Sequence, residues 1–179
     1  MADLARVTAA IAEFPDFPKP GIRFQDVFGI FREPEAHAAL QRLMVEFVVA
    51  HRAEVEVVVG LDARGFLLGP AMALAIGVPF VPVRKAGKLP GEVEGESYTL
   101  EYGEARMEVQ VGAIARGAKV LVVDDLLATG GTLSAACSLV RRAGGEVARC
   151  WVVVELAALR GRARVAEPIT ALVTMEDVL

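Results

Sequence analysis

Val120-Leu121-Val122-Val123-Asp124-Asp125-Leu126-Leu127-Ala128-Thr129-Gly130-Gly131-Thr132 is the stretch around which the rest of the sequence is organised. Its four leading aliphatic residues predict a strand buried on both faces, the pattern of a parallel sheet. Two carboxylates follow, then a turn of small residues from Ala128 to Thr132, then a helical run from Leu133 to Arg142. A helix N-terminus offers unpaired N–H groups and a partial positive charge, which suits a phosphate. Gly130 and Gly131 let the backbone close around an anion, and Thr129 and Thr132 add hydroxyl donors. Asp124 and Asp125 would repel that anion, so they are expected to hold ribose hydroxyls or a hydrated magnesium ion. Donors for phosphate beside acceptors for sugar point to a phosphorylated sugar. The competing reading is a βα turn with a capping threonine and two solvated aspartates.

The same design recurs upstream. Val55 to Gly60 reads as a second buried strand, running into Leu61-Asp62-Ala63-Arg64-Gly65-Phe66 and a helix to Ile76. Arg64 is the one cation in this apolar stretch and needs an anionic partner, either Asp62 or a phosphate held by the guanidinium fork. Val78 to Val83 is a third strand, ending in Arg84-Lys85-Ala86-Gly87-Lys88. Of four lysines in the chain, two lie three apart in this loop, which suits a compact anion. Glu92, Glu94 and Glu96 are expected to face water at the loop tip. Ser97 to Tyr102 and Met107 to Val111 predict an antiparallel pair, with Glu101 either at the reaction or paired with Arg106.

Around these lie an N-terminal helix from Leu4 to Phe14, a proline-broken surface loop from Phe14 to Phe24, and an amphipathic helix from Pro34 to His51. After the organising helix, Gly144-Gly145 ends it, Cys150 to Glu155 is a buried strand, Leu156 to Arg164 a short helix and Ile169 to Thr174 an edge strand. Strands alternating with helices predict an α/β fold, a central mostly parallel sheet flanked by helices, with ligands at the strand C-terminal ends.

Composition narrows the function. At 179 residues the chain is one domain, 1–179, with length enough for a real core. Its net charge of −4 argues against a general nucleic-acid-binding face. No apolar run spans a bilayer, and Met1-Ala2-Asp3-Leu4 lacks a basic leader, so a cytoplasmic protein with no membrane partner is expected. A hydrophobic fraction of 54% suggests surface buried in a homodimer. Cys137 and Cys150 read as buried structural thiols. His37 and His51 are isolated, so no protein-ligated metal is expected.

Four motifs in order resemble the type I phosphoribosyltransferases, in their adenine phosphoribosyltransferase branch: PDFPKPGIRF, LDARGF, RKAGKLP with SYTLEYG, and VVDDLLATGGT. The resemblance covers nearly the whole chain. It implies a single-domain type I phosphoribosyltransferase fold with an N-terminal hood over the base, about 1–34, and a flexible lid loop, 84–102. It implies conversion of adenine and phosphoribosyl pyrophosphate to AMP and pyrophosphate, with magnesium carried mainly by the phosphoribosyl pyrophosphate. The roles that follow are Phe24 stacking on the base with Leu156 against it, and backbone groups near Arg23 and Gln25 reading its edge. Asp124 and Asp125 take the ribose hydroxyls, and Ala128, Thr129, Gly130, Gly131 and Thr132 the 5′-phosphate. Arg64, Lys85 and Lys88 face the leaving pyrophosphate. Arg84 joins them, within one subunit or across a dimer interface. Glu101 sits near the base and reaction centre, and Tyr102 helps close the lid. The resemblance also points to a cis Asp62–Ala63 bond. The same chemistry on another purine, or a purine-nucleotide-binding regulator without turnover, are the alternatives.

Overall fold

In the computed structural model, residues 1–99 and 104–176 are described. The organising strand is β7 (Lys119–Leu127) and the helix it feeds is α5 (Gly131–Arg142). Strand β7 lies between β3 (Val57–Leu61) and β8 (Glu146–Leu156), parallel to both. Beyond them stand β4 (Phe80–Lys85) on one side and β9 (Ile169–Met175) on the other, also parallel. Two strands, β5 (Val93–Thr99) and β6 (Glu104–Gln110), extend the β4 edge antiparallel, giving the order β5-β6-β4-β3-β7-β8-β9.

The two-residue period of a strand explains why the sheet has two cores. Along β7, Leu121 and Val123 face one apolar cluster while Val120 and Val122 face the other. The first cluster is roofed by α3 (Pro34–Ala50) and α4 (Gly65–Ile76), through Leu40, Met44, Val48, Leu68 and Met72. The second is roofed by α5, through Cys137, Leu139 and Val140. Both cysteines are buried free thiols with their sulfurs 3.5 Å apart, and the hydrogen bond between them and burial together push the Cys137 thiol far up.

Some boundaries differ from those expected. The N-terminal helix α1 (Ala2–Ala9) stops short of Phe14. Residues Ala12–Pro15 instead form β1, which pairs antiparallel with β2 (Arg23–Asp26) in a separate hairpin. Pro15 stands at the end of its strand, where a missing N–H costs no sheet bond. The connection between them carries Pro18 and Pro20 and holds a cis Phe17–Pro18 bond. A five-residue helix, α2 (Phe28–Arg32), was not anticipated. The expected helix over 156–164 is two 3-10 turns, Ala157–Leu159 and Gly161–Arg164, parted by left-handed Arg160. The predicted strand at 78–83 continues through Arg84 and Lys85, so the lid segment starts on β4.

Candidate active site

At the C-terminal ends of β3 and β7 a cavity of about 170 Å³ is lined by Arg64, Asp124, Asp125 and the run from Leu126 to Leu133. Residues far apart in sequence meet here because β3 and β7 are hydrogen-bonded neighbours. Gly130 begins α5 with φ 79 and ψ −2, a left-handed conformation open to glycine at little cost. Among the described residues no side chain caps this helix, and its first residues line the cavity. The two glycines thus stand at a helix start, beside the cavity.

The acids differ from each other. Asp125 is buried at 4% exposure, and Arg64 Nη1 stands 3.0 Å from its Oδ2. That approach is close but misaligned, and Oδ2 has no hydrogen-bond partner among the described residues. A buried carboxylate oxygen in this state has room in its hydrogen bonding for a further donor. The Asp125 amide donates to Asp124 Oδ1 at 2.9 Å. Burial pushes the Asp124 carboxyl well above the usual carboxylate range, and the charge of Asp125 adds to it. Burial also raises Asp125, while the Arg64 guanidinium opposes the shift. Asp62 is therefore not the partner of Arg64. Its Oδ2 accepts from Arg84 Nε at 3.1 Å instead. The Asp62–Ala63 bond is cis, as the resemblance implied.

The basic edge is built from β4. Arg84 Nη1 donates to the Lys88 carbonyl at 3.1 Å, so Arg84 ties the turn of residues 84–88 to the Asp62 loop. Lys85 and Lys88 are exposed. The Gly87 amide donates to buried Glu108 at 2.9 Å, and Arg106 Nε donates to the same carboxylate at 3.2 Å. Glu101 and Tyr102 lie outside the described residues. Glu94 and Glu96 do not sit at a loop tip. They belong to β5, where Glu96 accepts from Ser138 Oγ at 2.9 Å and Arg142 Nη1 at 2.8 Å, and Glu94 from Arg142 Nη2 at 3.4 Å.

The hairpin makes a separate apolar hollow of about 460 Å³, lined by Phe14, Pro15, Asp16, Phe17, Phe24 and Asp26. Phe24 meets Phe17 edge-on with ring centres 5.0 Å apart. The side chains of Arg23 and Gln25 are both committed to Glu13, at 2.8 and 3.0 Å. Leu156 is buried at the end of β8. Phe28, which sequence reasoning passed over, puts its ring 6.0 Å from the Arg64 guanidinium and links the hairpin's exit to the cavity.

Residues 29–177 match the phosphoribosyl transferase domain family. Adenine phosphoribosyltransferase 1 of Triticum aestivum is 46% identical over 173 residues, covering 96% of this chain and 94% of the relative. The Mus musculus adenine phosphoribosyltransferase is 45% identical, covering 90% and 91%. This chain belongs to the adenine phosphoribosyltransferase family. A solved family member from Saccharomyces cerevisiae, complexed with an imino-altritol bisphosphate and adenine, superposes with a TM-score of 0.88 at 40% identity over 96% of this chain and 98% of that one. One from Rhodothermus marinus gives 0.87 at 42% identity over 97% and 99%. The family fold thus extends across the hairpin and the sheet alike.

Proposed function

We propose that this chain is a pentosyltransferase of purine salvage, transferring the phosphoribosyl group of phosphoribosyl pyrophosphate to adenine to give AMP and pyrophosphate. The observation that carries this reading is the cavity at the tip of β7. There the start of α5 lines the cavity beside buried Asp125, whose Oδ2 has no hydrogen-bond partner among the described residues. A sugar bearing both a phosphate and free hydroxyls answers both needs.

In this reading the amides of Ala128 to Thr132 take the 5′-phosphate, and Asp124 and Asp125 accept from the ribose hydroxyls. Arg64, Arg84, Lys85 and Lys88 stand on the pyrophosphate side. Purine N9 approaches the anomeric carbon as the bond to the pyrophosphate oxygen breaks, so positive charge grows on the sugar and negative charge on the leaving group. Cations beside that group and a site shielded from water favour this charge separation. Glu101 is assigned to proton handling at the base and Tyr102 to lid closure. Phe24 is assigned to stack on adenine, with Leu156 opposite. With the Arg23 and Gln25 side chains held by Glu13, the backbone of that strand remains to read the purine edge.

In this reading a magnesium ion is carried by the substrate rather than caged by protein. Asp124 would meet such an ion through water, and the ion would screen the pyrophosphate charge. The second copy of a homodimer would cover α4, a helix with no charged residue that leaves Leu67 and Leu74 exposed. Free thiols at Cys137 and Cys150 suit the reducing cytoplasm. No described helix is long and apolar enough to cross a membrane.

The test is an assay with magnesium, phosphoribosyl pyrophosphate and each purine base in turn. Nucleotide is expected from adenine. Nucleotide from hypoxanthine or guanine alone would reassign the base, and none from any would end the reading.

A further inference from the structure

The loop facing the cavity rests on a second piece of backbone. A β-carbon on Gly161 would fall inside the contact distance of the Ala128 carbonyl oxygen and 3.0 Å from the Gly130 nitrogen. One on Gly130 would fall against the Gly161 carbonyl. The two main chains therefore touch, and only residues without a β-carbon allow it. Gly161 is buried and is absent from the cavity lining.

The turn that carries Gly161 is pinned. Arg162 donates Nε and Nη2 to Glu155 at 2.7 and 2.6 Å, a bidentate ion pair, and Nη1 to the Ile169 carbonyl at 2.8 Å. Glu155 is buried at 7% exposure and pairs across the sheet with Leu127, the residue before Ala128. Contacts thus close a ring: from Leu127 across the ladder to Glu155, through Arg162 to Gly161, and back onto Ala128 and Gly130. A ring of that kind fixes a loop's position more tightly than its own turn geometry can.

We infer that Gly161, locked by the Glu155–Arg162 ion pair, is a positioning residue that sets the phosphate-binding amides of Ala128 to Thr132. The inference rests on the proposed 5′-phosphate site. Its physical basis is that preorganised donors lose most of their worth when displaced by a fraction of an ångström to an ångström.

The test compares AMP with adenosine, which differ only in the phosphate, by calorimetric titration of the full chain. Wild type is expected to favour AMP. Gly161→Ala is expected to lower AMP affinity about tenfold or more, the scale of one charge-assisted hydrogen bond, with adenosine affinity unchanged. Arg162→Lys keeps the charge but loses the fork, and is expected to show the same pattern at smaller size. A folded Gly161→Ala protein with unchanged AMP affinity, or with equal losses for both ligands, overturns the inference. If Gly161→Ala does not fold, unchanged AMP affinity in Arg162→Lys overturns it. No preference for AMP in wild type would instead overturn the phosphate assignment on which it rests.

Discussion

The two edges of this site proposed to face anions are built by different means. At the tip of β7 the loop is main chain packed on main chain, Gly130 against Gly161, with buried Asp125 beside it. At the tip of β4 the cations stand on exchangeable side-chain contacts, Arg84 to Asp62 and the Gly87 amide to Glu108, and Lys85 and Lys88 are exposed. The contrast suits the proposed chemistry. The ribose phosphate stays on the sugar through the reaction, so its cradle gains from being rigid. The pyrophosphate departs, so its partners gain from finding others when it leaves.

The largest effect should fall on the rigid edge. Asp125→Ala removes the proposed ribose acceptor and strips Arg64 of its partner. At ~1.5–3 kcal/mol for each lost charge-assisted hydrogen bond, kcat/KM should fall well over tenfold. Unchanged turnover in a steady-state assay would remove that role. Next come two glycines that share a left-handed backbone, Gly130 at φ 79 and Gly87 at φ 74. Among the described residues nothing lies within 4 Å of a β-carbon built on Gly87, whereas one on Gly130 meets Gly161. Gly87→Ala should cost only the conformational strain, ~1–2 kcal/mol, and Gly130→Ala that plus a main-chain clash, on the order of 3 kcal/mol or more. Urea midpoints at constant slope measure both. Equal costs would break the distinction between the edges.

On the exchangeable edge, Lys85→Ala and Lys88→Ala should each raise KM for phosphoribosyl pyrophosphate by about tenfold, one charge-assisted contact, and leave KM for adenine near wild type. Equal weakening of both substrates would make the loop merely structural. The rigid edge also predicts a pH effect. Burial holds the Asp124 carboxyl above its ordinary value, so the folded state binds a proton more tightly than the unfolded chain does. Stability tied to that proton is full below the unfolded value of 3.8 and is lost as pH rises through the raised folded value. Asp124→Asn should therefore raise the thermal midpoint of the ligand-free protein at neutral pH and change it little in acid. A midpoint lowered at neutral pH would contradict the assignment.

The sequence announces the β7 edge better than the β4 edge, and the reason is locality. A buried strand, two acids and a glycine turn lie in one continuous run, so Ala128 to Thr132 could be placed on a helix start from spacing alone. The partner of Arg64 was missed because local sequence offered only Asp62, two residues away, or an external phosphate. Knowing that β3 and β7 are adjacent would have suggested Asp125, since their ends then converge. Glu94 and Glu96 were misread because Glu-Gly-Glu-Ser carries no apolar alternation. Their strand is defined by pairing with β6 and by Arg142 on α5, which no local pattern reveals. Gly161 left no signal either, since a close approach of two backbones exists only after packing. The short α2 fell below the length at which periodicity can speak.

The smallest effect should come from Arg142→Ala. Its guanidinium bridges Glu94 and Glu96 and so ties β5 to α5, the helix that starts at the phosphate loop. The side chain is 52% exposed, and Ser138 would still hold Glu96 after the substitution. Exposed pairs of this kind contribute about 0.2–1 kcal/mol, so the stability loss should sit in that range. Arg142 is the main cause, ahead of Ser138, of the lowered Glu96 carboxyl. A lowered folded value gives stability that is present above the unfolded 4.5 and is lost as pH falls through the lowered folded value, so wild type and variant should converge in acid. AMP affinity should not move, because a tether between exposed side chains leaves the Gly130–Gly161 contact intact. If Arg142→Ala instead weakened AMP as much as Gly161→Ala, the phosphate loop would be held through the face of α5 rather than through its backing glycine.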